Sequence, residues 1–443
     1  MTDLAQDTQH VDPAAVKKAV FAAGMGNALE WFDFGVYSYV AGTVGRVFFP
    51  STDTTVSLLA SFGVFAIAFL VRPLGGIFFG PLGDKVGRSK VLATTIIMMS
   101  ASTFCVGLLP GYQSIGIWAP ILLILCRLVQ GFSTGGEYGG AATFIVESSP
   151  DKHRGFMSSW LEFGTLGGYS LGALLVTGFS LALPHEAFRE WGWRLPFLAA
   201  GPLGLFGLYL RLKLEDSPAF RQLEDNAEKS RSPLREVMGK HMREMLLCIG
   251  LVLILNVAYY TVLSYLPSYL TDILNMDASQ SLVFLVATML VMMVVISFVG
   301  RLSDRVGRKP VMIGACIGFI VLSWPAFWLL SQGVLAQTIL GLAILGFLVV
   351  LLAGTMPAAL PAIFPTPIRF GGFAIAYNIS TSLFGGTAPF VITWLIHETG
   401  DTYIPAYYLM AAAAIALVPI MMIAETARRP LWGSAALHFH RGN

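Results

Sequence analysis

GPLGDKVGRSK, at residues 80–90, comes back as GRLSDRVGRKP at residues 300–310, and reading the two together decides the fold. Gly80, Leu82, Asp84, Val86, Gly87 and Arg88 match Gly300, Leu302, Asp304, Val306, Gly307 and Arg308. Each copy joins two long apolar segments, so the chain consists of two related halves. In both, the Asp closes one apolar segment and basic residues open the next, so Asp84 is expected to pair with Arg88 or with a facing helix end. The glycines allow a tight turn and a close helix approach that charge placement alone would not need.

A chain of 443 residues that is 55% hydrophobic and 12% charged, with a mean hydropathy of +0.70, cannot hide its apolar surface in a water-soluble core. It reads as an all-α membrane protein, because a membrane-crossing helix needs about 20 apolar residues and the segments are too long and too unalternating for strands. Twelve spans are expected, near 18–45, 56–82, 91–110, 117–147, 155–183 and 193–213, then 243–272, 280–302, 310–331, 334–364, 371–397 and 403–424. They form two pseudo-repeated six-helix bundles. The expected domains are residues 1–213, a charged linker 214–242, residues 243–424 and a tail 425–443.

The polar first 17 residues carry Asp3, Asp7 and Asp12 and suggest no cleaved signal peptide. Cys105, Cys126, Cys248 and Cys316 fall inside spans without disulfide or metal spacing, so they read as packing residues, and no metal or cofactor is expected. With both termini on one side, 23 of the 28 Lys and Arg residues collect there, and the positive-inside bias makes that side the cytoplasm. The chain is expected in a bacterial cytoplasmic (inner) membrane, as a monomer without nucleic-acid partners.

Ionisable groups in a bilayer core cost about 2.5–3.5 kcal/mol each on insertion scales, so they normally face an interior cavity. The deep ones here all lie in the first half: Glu30 and Asp33 in span 1, Arg72 in span 2, Arg127 and Glu137 in span 4, and Glu162 in span 5. Asn27, Glu30, Asp33 or Phe34, and Tyr37 share one face of a helix, and Arg127, Gln130, Thr134 and Glu137 share another. Two polar stripes at that depth imply a shared, water-accessible cavity, in which Asp33 could meet Arg127 and Arg72 could pair with Glu30. Glu30, Asp33, Arg127 and Glu137 are the proton-coupling candidates, while Glu162 reads equally well as a mere neutraliser of a neighbouring helix. In the second half, aligning Asn256 with Asn27 sets Tyr259 and Tyr260 where Glu30 and Trp31 stand; with Tyr265 and Asn378 this half can shape a pocket but not carry a proton.

GNALEWFDFGVY (26–37), VRPLGGIFFGPLGDKVGR (71–88), QGFSTGGEYGGA (130–141), ESSPDKHRGFMSSWLEFG (147–164), LVLILNVAYYTVLSYLPSYL (251–270) and PAYYLM (405–410) together cover nearly the whole chain. On these stretches the sequence resembles the metabolite:proton symporter branch of the major facilitator superfamily, and within it the carriers of osmoprotectant zwitterions such as proline and glycine betaine. The resemblance implies proton-coupled uptake by alternating access, with Gly80, Asp84, Gly87, Arg88, Gly300, Asp304, Gly307 and Arg308 as a clasp that closes the cytoplasmic side. No heptads follow Arg429, a departure from members of the branch with a long charged coiled-coil tail, and osmotic tuning is not implied.

Substrate choice is argued from charge. A desolvated di- or tricarboxylate needs several convergent cations, and only Arg72 and Arg127 are on offer, each with a carboxylate to match it. A zwitterion fits better, its carboxylate on Arg127 or Asn256 and its ammonium among Trp31, Tyr37, Tyr138, Tyr260 and Glu137, with Asn27 and Asn378 as further polar contacts. The competing readings are a symporter of organic acids such as citrate, α-ketoglutarate or shikimate, a proton-antiporting exporter, and a membrane sensor or enzyme. The last is disfavoured because no Ser-His-Asp set, metal-spaced His cluster or phosphate loop occurs.

Overall fold

The computed structural model describes residues 13–86, 88–135, 137–215, 239–365 and 368–431. Among the described residues, twelve helical spans cross back and forth. The first six are α1 (Pro13–Tyr39, continued by Ala41–Phe48), α2 (Thr54–Val86), α3 (Arg88–Leu108), α4 (Trp118–Ser133 with Glu137–Ser148), α5 (Arg154–Ala182) and α6 (Leu195–Glu215). The second six are α7 (Met242–Ile273), α8 (Ala278–Val306), α9 (Arg308–Ser331), α10 (Leu335–Ile363), α11 (Arg369–Thr399) and α12 (Ile404–Met422). Nine of them qualify as membrane-crossing by length and composition. The polar stripe of α1, with Asn27, Glu30 and Asp33, keeps it out of that set. Most of the expected linker, 216–238, and the end of the tail, 432–443, lie outside the described residues.

Helices are the form that such apolar runs must take, because a bilayer offers no partner for an unsatisfied backbone N–H or C=O. What packs them here is the absence of side chains at the crossings. A Cβ added at Gly131 would stand 1.8 Å from the Ala68 carbonyl oxygen, and one at Gly75 1.8 Å from that of Phe132, so α2 and α4 touch backbone to backbone. Gly164 and Gly168 do the same for α1 and α5, with the Gly24 and Ala28 carbonyl oxygens 2.2 and 2.1 Å from the added Cβ. The two halves meet along α5 with α8 and along α2 with α11.

Hydropathy shows no interruption in several spans that the structure breaks. α4 turns at Thr134 and Gly135, α7 widens into π-helical turns at Tyr260–Tyr265 and Tyr269–Ile273, α10 breaks at Gly354 and Thr355, and α11 widens at Thr381–Gly385. Each broken stretch still has the length and mean hydropathy of a single span, which is why hydropathy did not reveal the break. Such turns leave backbone and side chains free to face an interior cavity and cluster at functional sites.

Candidate functional site

The first-half polar stripe folds inward as a chain of contacts. Glu30 Oε1 accepts a 2.7 Å bond from Arg72 Nη2, and both side chains are buried, so the expected pair exists. It is not saturated: Glu30 Oε2 and Arg72 Nε and Nη1 lack hydrogen-bond partners. The Arg72 guanidinium is packed among aromatic rings, 5.6 Å from the Phe69 centroid and 6.0 Å from that of Trp31. Asn27 donates to the Leu161 carbonyl at 2.9 Å and to Thr165 Oγ1 at 2.6 Å, and accepts from Trp31 Nε1 at 3.0 Å, which fixes the indole toward α5.

Asp33 and Arg127 are neighbours but close no ion pair. Arg127 Nη1 donates to Gln130 Oε1, whose amide in turn donates to Thr103 Oγ1 at 3.1 Å. The guanidinium lies 4.2 Å from the Tyr37 ring centroid. Asp33 faces Thr103 and this guanidinium, with Oδ2 unpartnered. The reason is positional: Gln130 sits one turn along α4 from Arg127 and reaches it first.

Where the halves meet, a central cavity of about 10 Å³ is lined by Trp31, Glu162, Thr165, Leu255, Asn256, Tyr259, Tyr260 and Tyr377, room for roughly one water molecule. Glu162 dominates it. The Tyr138 hydroxyl donates to Oε1, and Tyr259 donates to Oε2 at 2.6 Å, so one carboxylate is held by one tyrosine from each half. Tyr377 stacks on Tyr138 with centroids 4.2 Å apart and planes 12° from parallel. Tyr260 lies 5.9 Å from the Trp31 ring, and its hydroxyl has no hydrogen-bond partner. Asn256 Nδ2 donates to Thr381 Oγ1 at 3.2 Å, beside the π-turn of α11.

The structure thus gathers Trp31, Tyr260 and Asn256 at the cavity, with Tyr138 behind Glu162 and Asn27 bracing Trp31. It sends two expected contacts elsewhere. Tyr37 donates to the Ser61 carbonyl at 3.0 Å and covers Arg127, and Asn378 donates to the Gly135 carbonyl at 2.6 Å, tying α11 to α4 at its break. Glu137 is half-buried at the start of the second α4 segment, within electrostatic reach of Glu30. Sequence reasoning left Glu162 evenly between a cavity carboxylate and a neutraliser of a neighbouring helix, set Tyr259 in the half that shapes a pocket, and did not single out Tyr377; nothing in spacing says that tyrosines from both halves converge on the carboxylate. Among the described residues no three His, Cys, Asp or Glu side chains cluster as metal ligands.

Both ends of this cavity are bridged. At the end where α8 passes into α9, the Asp304 carboxylate accepts from the backbone N–H groups of Gly155 and Phe156 at 2.8 and 2.9 Å, capping α5 from α8. A Cβ on Gly155 would meet Ser303 Oγ at 2.6 Å, and one on Gly300 the Gly155 carbonyl at 2.7 Å, so both glycines are required for this approach. Gly307 turns between α8 and α9 at φ 111°, a left-handed conformation costly to any other residue. Arg308, 3.9 Å from Asp304, donates to the Ala358 carbonyl and to Thr426 Oγ1, and the N–H groups of Arg308 and Lys309 donate to Glu425. Burial would raise the Glu425 carboxyl, but N–H groups of Ala427, Arg308, Lys309 and Thr426 outweigh it and hold the group below its ordinary value. Glu147 and Arg369 form a 2.8 Å ion pair between α4 and α11. At the opposite end Asp53 lies 3.5 Å from His397, and deeper in Tyr169 and Ser264 hydroxyls join at 3.0 Å. Gly87, and the surroundings of Gly80, Asp84 and Arg88 in the first-half copy, lie outside the described residues.

Two six-helix halves closing over a buried polar cavity define a transporter architecture. The model of the Major Facilitator Superfamily matches residues 20–386, and the chain belongs to that family. It is 47% identical over 437 residues to a "Proline/betaine transporter" of Salmonella typhimurium, covering 97% of this chain and 87% of the relative. It is equally similar, 47% over the same shares, to the "Glycine betaine/proline/ectoine/pipecolic acid transporter OusA" of Dickeya dadantii, and 45% identical to a "Putative proline/betaine transporter" of Staphylococcus haemolyticus, covering 96% and 91%. Among solved structures, the proton:xylose symporter XylE bound to 6-bromo-6-deoxy-D-glucose superposes with a TM-score of 0.73 at 16% identity, covering 96% of this chain and 99% of that one. An inward-open XylE of E. coli gives 0.67 at 17%, covering 93% and 97%, and at these identities the likeness speaks for the fold alone. The protein is a multi-pass membrane solute transporter and not an enzyme.

Proposed function

We propose that the protein takes up a small zwitterion such as proline or glycine betaine together with protons, across a bacterial inner membrane, with both termini cytoplasmic. The observation that carries this is the charge balance at the cavity: Glu162 and five aromatic residues stand in or against it, while the nearest cations are already engaged, Arg72 by Glu30 and Arg127 by Gln130. A polyanion in that setting would meet a buried carboxylate and no cluster of free cations, and unpaired charge in a low-dielectric interior is strongly unfavourable. A zwitterion brings its own neutrality, and its cationic end gains about 0.5–2 kcal/mol per ring face. The names of the relatives agree with this choice. Asn256 and Arg72, which retains unpartnered N–H groups, suit the carboxylate end, and Asp33 suits the proton.

In proteoliposomes with an inwardly directed proton gradient, labelled proline and betaine should accumulate and compete with each other, whereas excess citrate should not compete. Accumulation of citrate or α-ketoglutarate with neglect of proline and betaine would overturn the reading.

Alternating access requires the bridges at the two ends to break in turn. Asp304→Asn weakens the cap on α5 by about 1–2 kcal/mol, since a charged acceptor is exchanged for a neutral one. That shifts the balance toward opening at the Asp304 end by roughly 5–30-fold. A Ser159→Cys reporter, buried beside Gly300, should then react faster with an impermeant maleimide while betaine binding is little changed; an unaltered labelling rate would count against a gating role for the repeated motif.

A further inference from the structure

We propose that Glu162 is the counter-charge for the cationic end of the transported zwitterion, and so decides selection between zwitterions and carboxylates of the same shape. This rests on the reading of the protein as a zwitterion carrier. Glu162 is 2% exposed and makes no ion pair with any Lys, Arg or His among the described residues. Its oxygens are held by neutral donors, the hydroxyls of Tyr138 and Tyr259. The two deep carboxylates of α1 differ: Glu30 has Arg72, and Asp33 has the Arg127 guanidinium beside it. A carboxylate kept in a wall of aromatic rings, bonded by two hydroxyls yet without a cation, is the electrostatic complement of a quaternary or secondary ammonium, whose methyl or methylene groups fit ring faces.

The placement adds a mechanical consequence. Glu162 and Trp31 stay with the first half, whereas Tyr259, Tyr260 and Tyr377 belong to the second. Opening either end moves the second-half rings relative to Glu162, so the full cage exists only while both ends are shut. The cation is then held most tightly in the occluded state, and half of its enclosure withdraws as the halves part.

Glycine betaine and 3,3-dimethylbutanoate share shape and carboxylate and differ in the central atom of the bulky end, N⁺ in one and carbon in the other. Binding of both to purified full-length protein, read by quenching of tryptophan fluorescence, separates charge recognition from packing. The wild type should prefer betaine by about 10–100-fold, the worth of a hydrogen bond or contact to a charged group. In Glu162→Gln, which preserves size and one acceptor for the tyrosines, that preference should fall by about tenfold or more, the ring faces supplying what is left. Glu162→Asp should restore part of it.

Equal weakening of both ligands in Glu162→Gln would make the residue a support for the fold and overturn the inference, as would an unchanged preference. A wild type that binds neither betaine nor proline would instead overturn the functional reading, and this inference with it.

Discussion

Arg72→Leu should destabilise the protein by about 3–5 kcal/mol, the largest effect on stability expected of any single substitution at the site. Arg72 is fully buried in α2, its Nη2 bonded to Glu30 Oε1 at 2.7 Å, with rings of Trp31, Phe34 and Phe69 about the guanidinium. Removing the cation leaves Glu30 buried with no cationic partner. It also empties space between α1 and α2 that the guanidinium fills. Arg72→Leu/Glu30→Leu should be markedly more stable than Arg72→Leu alone, because the desolvation of two charges is then avoided and only their mutual attraction is lost. The midpoint of thermal unfolding in detergent is the measurement. Equal midpoints for the single and wild-type proteins would show that Glu30 carries no net charge in the folded state and needs no partner.

Asp33→Asn should abolish accumulation against a gradient while leaving exchange of labelled for unlabelled substrate. Asp33 is buried, has one oxygen without a partner, and lies near Arg127 without an ion pair. A carboxylate not pinned by a salt bridge can gain and lose a proton with little rearrangement, in contrast to Glu30, whose protonation would remove the negative charge that pairs with Arg72. Asn keeps the shape and one acceptor but cannot titrate. Counterflow needs no net proton movement and should survive. If Asp33→Asn and Glu30→Gln each still accumulate substrate fully from a pH gradient, proton coupling lies elsewhere, and Glu137 or Glu162 becomes the next candidate.

The fold was legible because the bilayer reduces the problem to one dimension: long apolar runs, few charges, and a motif repeated at 80–90 and 300–310 determine twelve helices in two related halves. One pairing was legible too, that of Glu30 with Arg72, since the two lie at matching depth on adjacent spans. The resolution of the helices was not: the π-turns of α7 and α11 occur within spans of unbroken mean hydropathy, and nothing in hydropathy distinguishes a turn bonded to the fifth residue from one bonded to the fourth.

Asp304 illustrates the division more finely. The repeat marked it as a switch residue and allowed either an Arg or a facing helix end as its partner, but only the crossing of α5 and α8 at Gly155 and Gly300 brings two backbone N–H groups within 3 Å of it. Sequence by itself determined which side chains are too polar for lipid and must turn inward, because that depends on composition and on depth along a helix. Which of them meet was decided by the tertiary structure: Arg127 takes Gln130 in place of Asp33, and Glu162 is held by Tyr138 from one half and Tyr259 from the other. Those partnerships depend on helix rotation and on the seam between halves, which are set by close packing of glycines against backbone far away in the chain, such as Gly75 on Phe132 and Gly164 on Gly24, and leave no periodic trace along it.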